Sequence, residues 1–111
     1  MARLMYVELP VAQTGPSAAF YTAVFGWKFT DFGPDYAATL SGDTDIGLDA
    51  HDDDRLAAPL AVIEVADLEA TREAVVAAGA AISREIFAFP GGRRFHFRDF
   101  DGNELAAMQP A

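Results

Sequence analysis

One succession of hydrophobicity periods occurs twice in this chain, and it constrains the fold more than any single residue does. In residues 4–10, apolar Met5, Val7 and Leu9 alternate with Tyr6 and Glu8, the period-two pattern of a half-buried strand. Thr14-Gly15-Pro16-Ser17 then supplies an N-cap with proline in the first turn of a helix over about residues 17–24. Ala18, Phe20 or Tyr21, and Val24 are placed toward the core, and Gly26 stops the helix. Short strands follow at 27–32, 36–41 and 46–50, punctuated by Gly33-Pro34-Asp35 and Ser41-Gly42-Asp43. The second half repeats the order. A strand at 60–65 precedes a helix capped by Asp67, running to Ala78 and closed by Gly79. That helix carries Leu68, Thr71, Ala74 or Val75, and Ala78 on one stripe. Strands at 81–88, 93–98 and 104–109 follow, separated by Pro90-Gly91-Gly92 and Asp101-Gly102-Asn103. The chain thus reads β-α-β-β-β twice, the halves alike in pattern rather than in residue identity. The polar run His51-Asp52-Asp53-Asp54-Arg55 joins them.

At 111 residues the chain is one α+β domain, long enough to bury a core with its 51% hydrophobic residues. We divide it into modules 1–50 and 59–111 joined by a connector at 51–58. No apolar run approaches the ~20 residues that cross a bilayer, and no basic stretch leads into an apolar one at the start. The expectation is a cytoplasmic protein with no membrane partner. Cysteine is absent, which removes disulfides, thiolate nucleophiles and cysteine-based zinc sites. Seventeen acidic against eight basic side chains give a formal charge of −9, which repels phosphate backbones and argues against nucleic acid. Arg93, Arg94 and Arg98 nevertheless fall within six positions, a local cationic run suited to a small anion.

Three features carry a resemblance. They are the opening strand Met5-Tyr6-Val7-Glu8-Leu9-Pro10, Phe20-Tyr21 before Val24-Phe25-Gly26-Trp27, and the turn within Phe97-Arg98-Asp99-Phe100-Asp101-Gly102-Asn103. In order and spacing they resemble the vicinal oxygen chelate superfamily, which includes glyoxalase I, bleomycin-resistance proteins and extradiol dioxygenases. The resemblance spans essentially the whole chain. It implies two βαβββ modules forming a cupped eight-stranded mixed sheet with the helices outside and a ligand cleft between modules. It also implies a homodimer, since small members commonly pair.

Strand parity assigns faces. Met5, Val7 and Leu9 turn toward the helix, leaving Tyr6 and Glu8 toward the cleft; Ala61, Ile63 and Val65 do the same, leaving Leu60, Val62 and Glu64. Glu8 and Glu64 occupy equivalent places, in Val-Glu-Leu and Ile-Glu-Val, and the resemblance sets them across the cleft floor. Phe95 and Phe97 read as core, so Arg94, His96 and Arg98 share the other face, as do Glu104, Ala106 and Met108 opposite Leu105 and Ala107. The expected ligand-binding residues are Tyr6, Asp49, Val62, Arg94, His96, Arg98 and Met108. Glu8 and Glu64 have two readings: a structural one, pairing with Arg94 or Arg98 or accepting backbone N–H bonds, and one as the candidate catalytic pair, because neighbouring carboxylates in an apolar cup resist joint ionisation and one can act as base.

Glyoxalase I-like members place four metal ligands on the first, fourth, fifth and eighth strands. Those positions fall here on Tyr6, Asp49, Leu60 and Ala106, of which only Asp49 can hold an ion. The expectation is no metal and no cofactor; a relocated set of Glu8, Glu64 and His96 is the competing arrangement. His51 and Asp52 to Asp54 read as a solvated loop without the spacing of a calcium loop. Pro90-Gly91-Gly92-Arg93 reads as a hairpin rather than a phosphate cradle, since no helix follows it. With two histidines, one of them in a loop, a serine hydrolase triad is excluded. Tyr21, Phe25 and Trp27 read as packing, and Tyr36 as a rim residue.

Two function classes remain. In the first, the chain sequesters a small organic molecule, aromatic or carrying an acid or amide group. Arg94 or Arg98 orients it, as in bleomycin-resistance-like members. In the second it is a glyoxalase-type lyase or isomerase, or a dioxygenase-like enzyme, using a displaced metal or Glu8 and Glu64 as acid and base.

Overall fold

The computed structural model describes residues 2–52 and 57–111. Eight strands and two helices follow in the expected order: β1 Arg3–Pro10, α1 Thr14–Phe25, β2 Phe29–Asp31, β3 Tyr36–Thr39, β4 Asp45–Asp49, β5 Leu60–Glu64, α2 Leu68–Ala77, β6 Ala81–Phe89, β7 Gly92–Arg98 and β8 Glu104–Pro110. Contacts divide the chain into two units, residues 6–60 and residues 1–5 with 61–111, so the first five residues group with the second module. Asp53, Asp54 and Arg55 of the connector lie outside the described residues. Among the described residues no helix is long and apolar enough to cross a membrane.

In the unit of residues 6–60 the strands order as β2-β3-β4-β1, with β1 parallel to β4 and the other pairs antiparallel. Leu48 and Ala37, paired across β3 and β4, are fully buried. The helix stops at Gly26 as expected and differs from the sequence expectation at its start and in its inner face. It starts at Thr14, three residues early, with Gln13 before it making no side-chain cap. It ends at Gly26, whose φ of 74° only glycine adopts without strain. Of the residues placed inward, Ala18 is half-buried and, of the pair Phe20 or Tyr21, it is Tyr21 that is half-buried, while Phe20 and Val24 are each 57% exposed. The reason is compositional: apolar residues surround this helix, so periodicity alone cannot choose its inner face. The rings collect into a stack of their own, Tyr21 on Phe25 and Trp27, with Phe25 and Trp27 centroids 5.1 Å apart.

The unit of residues 61–111 orders its strands β5-β8-β7-β6, with β5 parallel to β8 and both other pairs antiparallel. Its core is the cluster Val65, Leu68, Phe95 and Ala107, with Ile63, Val75, Ile82, Ile86 and Phe97 against it. Ile63, Val65, Phe95, Phe97 and Ala107 of this set are residues that parity turned toward the helix or read as core. Asp67 caps α2 as expected, accepting from the Ala70 N–H at 3.0 Å. A second acceptor, the Gln109 side chain, takes the Leu68 N–H at 2.9 Å. Ala78 is exposed, so the inward stripe is Leu68, Thr71 and Val75.

Pro90 and Gly91 form the two-residue turn of the β6–β7 hairpin. Gly92 sits at φ 149°, where a Cβ would lie 2.2 Å from the Gln109 carbonyl oxygen on β8. The Asp99–Asn103 turn closes on one carboxylate. Asp99 accepts from the backbone N–H of Asp101 and Asn103 and from the Asn103 side chain, at 2.9–3.0 Å. These bonds, the Asn103 side chain first, hold the Asp99 carboxyl below its ordinary pKa.

Candidate functional site

The chemistry-bearing side chains gather on two sheet faces, one in each unit. In the unit of residues 6–60, Glu8 is 5% exposed and pairs in register with Gly47 on β4. The Tyr36 hydroxyl donates to Glu8 Oε2 at 2.9 Å. That bond depends on a missing side chain: a Cβ on Gly47 would lie 2.2 Å from the Tyr36 oxygen. Parity puts Tyr6 on the same face of β1 as Glu8. Asp49, two residues beyond Gly47, accepts from the His51 N–H at 2.9 Å and lies 2.7 Å from His51 Nδ1. Its carboxylate therefore closes the end of β4. On the opposite face a hollow of about 510 Å³ surrounds the end of α1, lined by Val7, Trp27, Leu40 and Ile46. The carboxylate of Asp45, which lines it, is taken up by the Thr39 hydroxyl at 2.7 Å and the Ser41 N–H at 2.8 Å.

In the unit of residues 61–111, the face of β7 turned away from α2 carries Arg94, His96 and Arg98. They pair with Met108, Ala106 and Glu104 on β8, as parity requires. Val62 and Glu64 of β5 register with Ala106 and Met108. Arg94 is 7% exposed, His96 1% and Val62 0%. Glu64 is held by Arg3, which belongs to this unit, at 2.8 Å. Glu8 and Glu64 thus fall in different units, each with a partner in its own.

Two register shifts in β6, on either side of Arg84, add residues the sequence pattern did not anticipate. They bring Arg84 opposite His96 and Phe87 opposite Arg94. The Phe87 ring lies 5.8 Å from the His96 ring, and the Arg94 guanidinium 5.4 Å from Phe87 and 5.3 Å from Phe89. Arg84 stacks 3.7 Å over Phe87.

His96 is oriented by a carboxylate. Its Nδ1 lies 3.1 Å from Glu104 Oε2, which also accepts from the Ser83 hydroxyl at 2.9 Å. Arg98 approaches the other Glu104 oxygen at 3.5 Å. Glu104 as acceptor fixes the Nδ1–H tautomer and leaves Nε2 as the acceptor atom. Among the described residues, that buried Nε2 has no hydrogen-bond partner. Burial foremost, then the neighbouring Arg94 charge, lowers the His96 pKa below 6.5; the bond to Glu104 opposes this only in part. The ring is neutral at pH 7.

The family model for the Glyoxalase/Bleomycin resistance protein/Dioxygenase superfamily matches residues 3–107. The chain belongs to this superfamily. Its two βαβββ modules have the fold of that family, and solved structures agree. Methylmalonyl-CoA epimerase from Mycobacterium tuberculosis is similar at 16% identity and TM-score 0.75, over 97% of this chain and 87% of that one. A superfamily member from Vibrio splendidus 12B01 matches at 18% identity and TM-score 0.69, over the full length of both. The Mn(II)-bound glyoxalase from Novosphingobium aromaticivorans matches at 21% and 0.69, over 98% of this chain and 40% of that one. No curated protein matches the chain. At these identities the likeness is one of fold.

The superfamily's metal does not fit this glyoxalase-like chain at the strand positions the resemblance assigns. Leu60 and Ala106 are fully buried hydrocarbon, Tyr6 is a weak donor, and Asp49 is engaged by His51. Among the described residues no three His, Asp or Glu side chains gather at metal-binding distance. Sequence reasoning missed Glu104 as the partner of His96, and Phe87 and Phe89 as the apolar surface beside Arg94. Glu104 had a legible signal, since it shares the parity of Arg98 across the Asp99–Asn103 turn. The aromatic pair had none, because the bulges of β6 break parity.

Proposed function

We propose that this superfamily member binds a small organic acid with an apolar body, on the β7 face that turns away from α2. The reading rests on one observation: a nearly buried guanidinium, Arg94, set against the rings of Phe87 and Phe89 in a chain of net charge −9. A guanidinium beside aromatic rings suits a ligand that brings both an anionic group and hydrocarbon. Binding needs no metal in this reading, because two of the four superfamily ligand positions are hydrocarbon. Isothermal titration with phenylacetate tests it. Saturable binding is expected, weakened at least tenfold in Arg94→Gln at unchanged fold by circular dichroism. Absence of binding, or equal affinity in Arg94→Gln, defeats it.

The second reading, a glyoxalase-type lyase, isomerase or dioxygenase-like enzyme using Glu8 or Glu64, draws its support from Glu8. A carboxylate that is 5% exposed and held by Tyr36 is built in rather than incidental. Ligand binding retained and turnover lost in Glu8→Gln is the outcome that favours it.

A further inference from the structure

We propose that the hollow at the end of α1 binds an organic cation with an apolar body, an aryl or alkyl ammonium, against the Trp27 ring and the Asp45 carboxylate. The proposal stands on residues of the unit 6–60 alone and is independent of the Arg94 reading. The hollow holds about 510 Å³, within the range of roughly 300–1,000 Å³ for small-molecule sites. Val7 and Ile46, paired across β1 and β4, give it hydrocarbon walls. Trp27 is the one tryptophan of the chain and is 40% exposed. Its ring stacks with Phe25, centroids 5.1 Å apart, and with Tyr21 at 5.9 Å, which hold it in place. Among side-chain rings, the indole face attracts a cation most strongly.

Charge decides the sign of the ligand, and three sources of negative potential meet here. The first is the helix. α1 ends at Gly26, which lines the hollow, and the carbonyls of its last turn carry the negative end of the dipole, about half an elementary charge. No basic residue occupies that turn. The second is Asp45. Its bonds from the Thr39 hydroxyl and the Ser41 N–H both land on Oδ1, so Oδ2 takes neither. Burial pushes that carboxyl up, but the Thr39 hydroxyl and the Ser41 and Gly42 donors outweigh it and hold the pKa below 3.8, so the group is ionised at pH 7. The third is the unit as a whole: between residues 6 and 60, Lys28 and Arg55 are the only lysine and arginine, against nine Asp and Glu. Lys28 is the opposing charge in the lining. It is exposed, and its stem is long enough to carry the ammonium out into water. A neutral apolar ligand gains from the walls and nothing from this field, and an anion is opposed by it.

The test titrates benzyltrimethylammonium into the ¹⁵N-labelled chain at pH 7.5 in 0.15 M salt, which screens diffuse attraction to a surface of charge −9. The single indole N–H signal, that of Trp27, reports on the hollow. It is expected to shift and saturate. Benzyl alcohol, with the same ring and no charge, is expected to bind at least tenfold more weakly. Asp45→Asn, which keeps an acceptor for Thr39, is expected to weaken the cation about threefold, and Lys28→Gln to tighten it about threefold. Phenylacetate, the probe of the Arg94 site, is expected to leave the indole signal in place, so the two sites are read separately. Equal affinities for the cation and the alcohol, or unchanged binding in both variants, overturn the proposal. A shift that never saturates is loose association with the acidic surface and overturns it as well. An indole signal that moves on dilution of the ligand-free chain assigns the hollow to a second copy and overturns it too.

Discussion

At the scale of single residues, the second unit concentrates its polar chemistry in one imidazole, and that imidazole sets a pH dependence. His96 has a folded pKa below 6.5, because burial and Arg94 disfavour its charged form. Well above pH 6.5 the ring is neutral whether the chain is folded or not, and it contributes no slope. As pH falls through 6.5 the unfolded chain takes up a proton that the folded chain refuses, so stability drops until the folded pKa is passed. Unfolding by urea between pH 7.5 and 5 is expected to show a declining midpoint. His96→Phe is expected to flatten that decline, by at most about 1.4 kcal/mol per pH unit for one proton. His51, exposed beside Asp49, remains in both proteins and cancels in the comparison. An unchanged slope in the variant refutes the assignment. Parity read from Phe95 and Phe97 was enough to place His96 on this face. Of its partners, Glu104 was placed on the same face by the parity of the last strand, whereas Phe87 was not legible, because the register shifts of β6 break the strand period.

The elements differ in how firmly their own sequences specify them. Helix α2 carries a separated apolar stripe and two acceptors at its N-terminus, Asp67 for Ala70 and Gln109 for Leu68. Asp67→Ala is expected to cost about 1 kcal/mol, the usual loss of an N-cap. Gln109→Ala is expected to lower stability as well, because it exposes the Leu68 N–H at the first turn. Urea midpoints of the two single variants and the double variant measure both effects. Additive losses identify two separate caps; a double variant no worse than Asp67→Ala shows that Gln109 contributes nothing. Only the Asp67 cap was legible, being adjacent to its helix, whereas Gln109 lies 41 residues away on β8. Helix α1 shows the converse. Phe20, Tyr21, Val24 and Phe25 surround its axis, so the sequence marks a helix without marking its inward side. The structure turns Tyr21 in and leaves Phe20, Val24 and Phe25 more than half exposed.

At the scale of the whole molecule, composition and site pull in opposite directions, and this separates a metal-dependent chain from a metal-free one. Three short motifs in their order and spacing pointed to the superfamily, and the family model over residues 3–107 shows it, yet neither supplies the superfamily's metal donors; those are individual side chains, and here two are hydrocarbon. A chain of charge −9 also gathers divalent cations loosely at its surface. A bare shift in melting temperature with metal is therefore weak evidence, and the test must ask for saturation. In 0.15 M salt, where exposed charges are screened beyond about 8 Å, EDTA-treated protein is expected to melt at one temperature with Ni²⁺, Mn²⁺, Zn²⁺ or Fe²⁺ added. An organic acid at ~100 times its dissociation constant is expected to add about 2.7 kcal/mol to the folded state. In a domain of this size that is a rise of several degrees. A saturable rise with one metal, removed by Asp49→Asn, would place an ion where the donors argue against it. Because Asp49 already closes β4 through His51, such an ion would have to displace that bond, and His51 would report its arrival by losing its carboxylate partner.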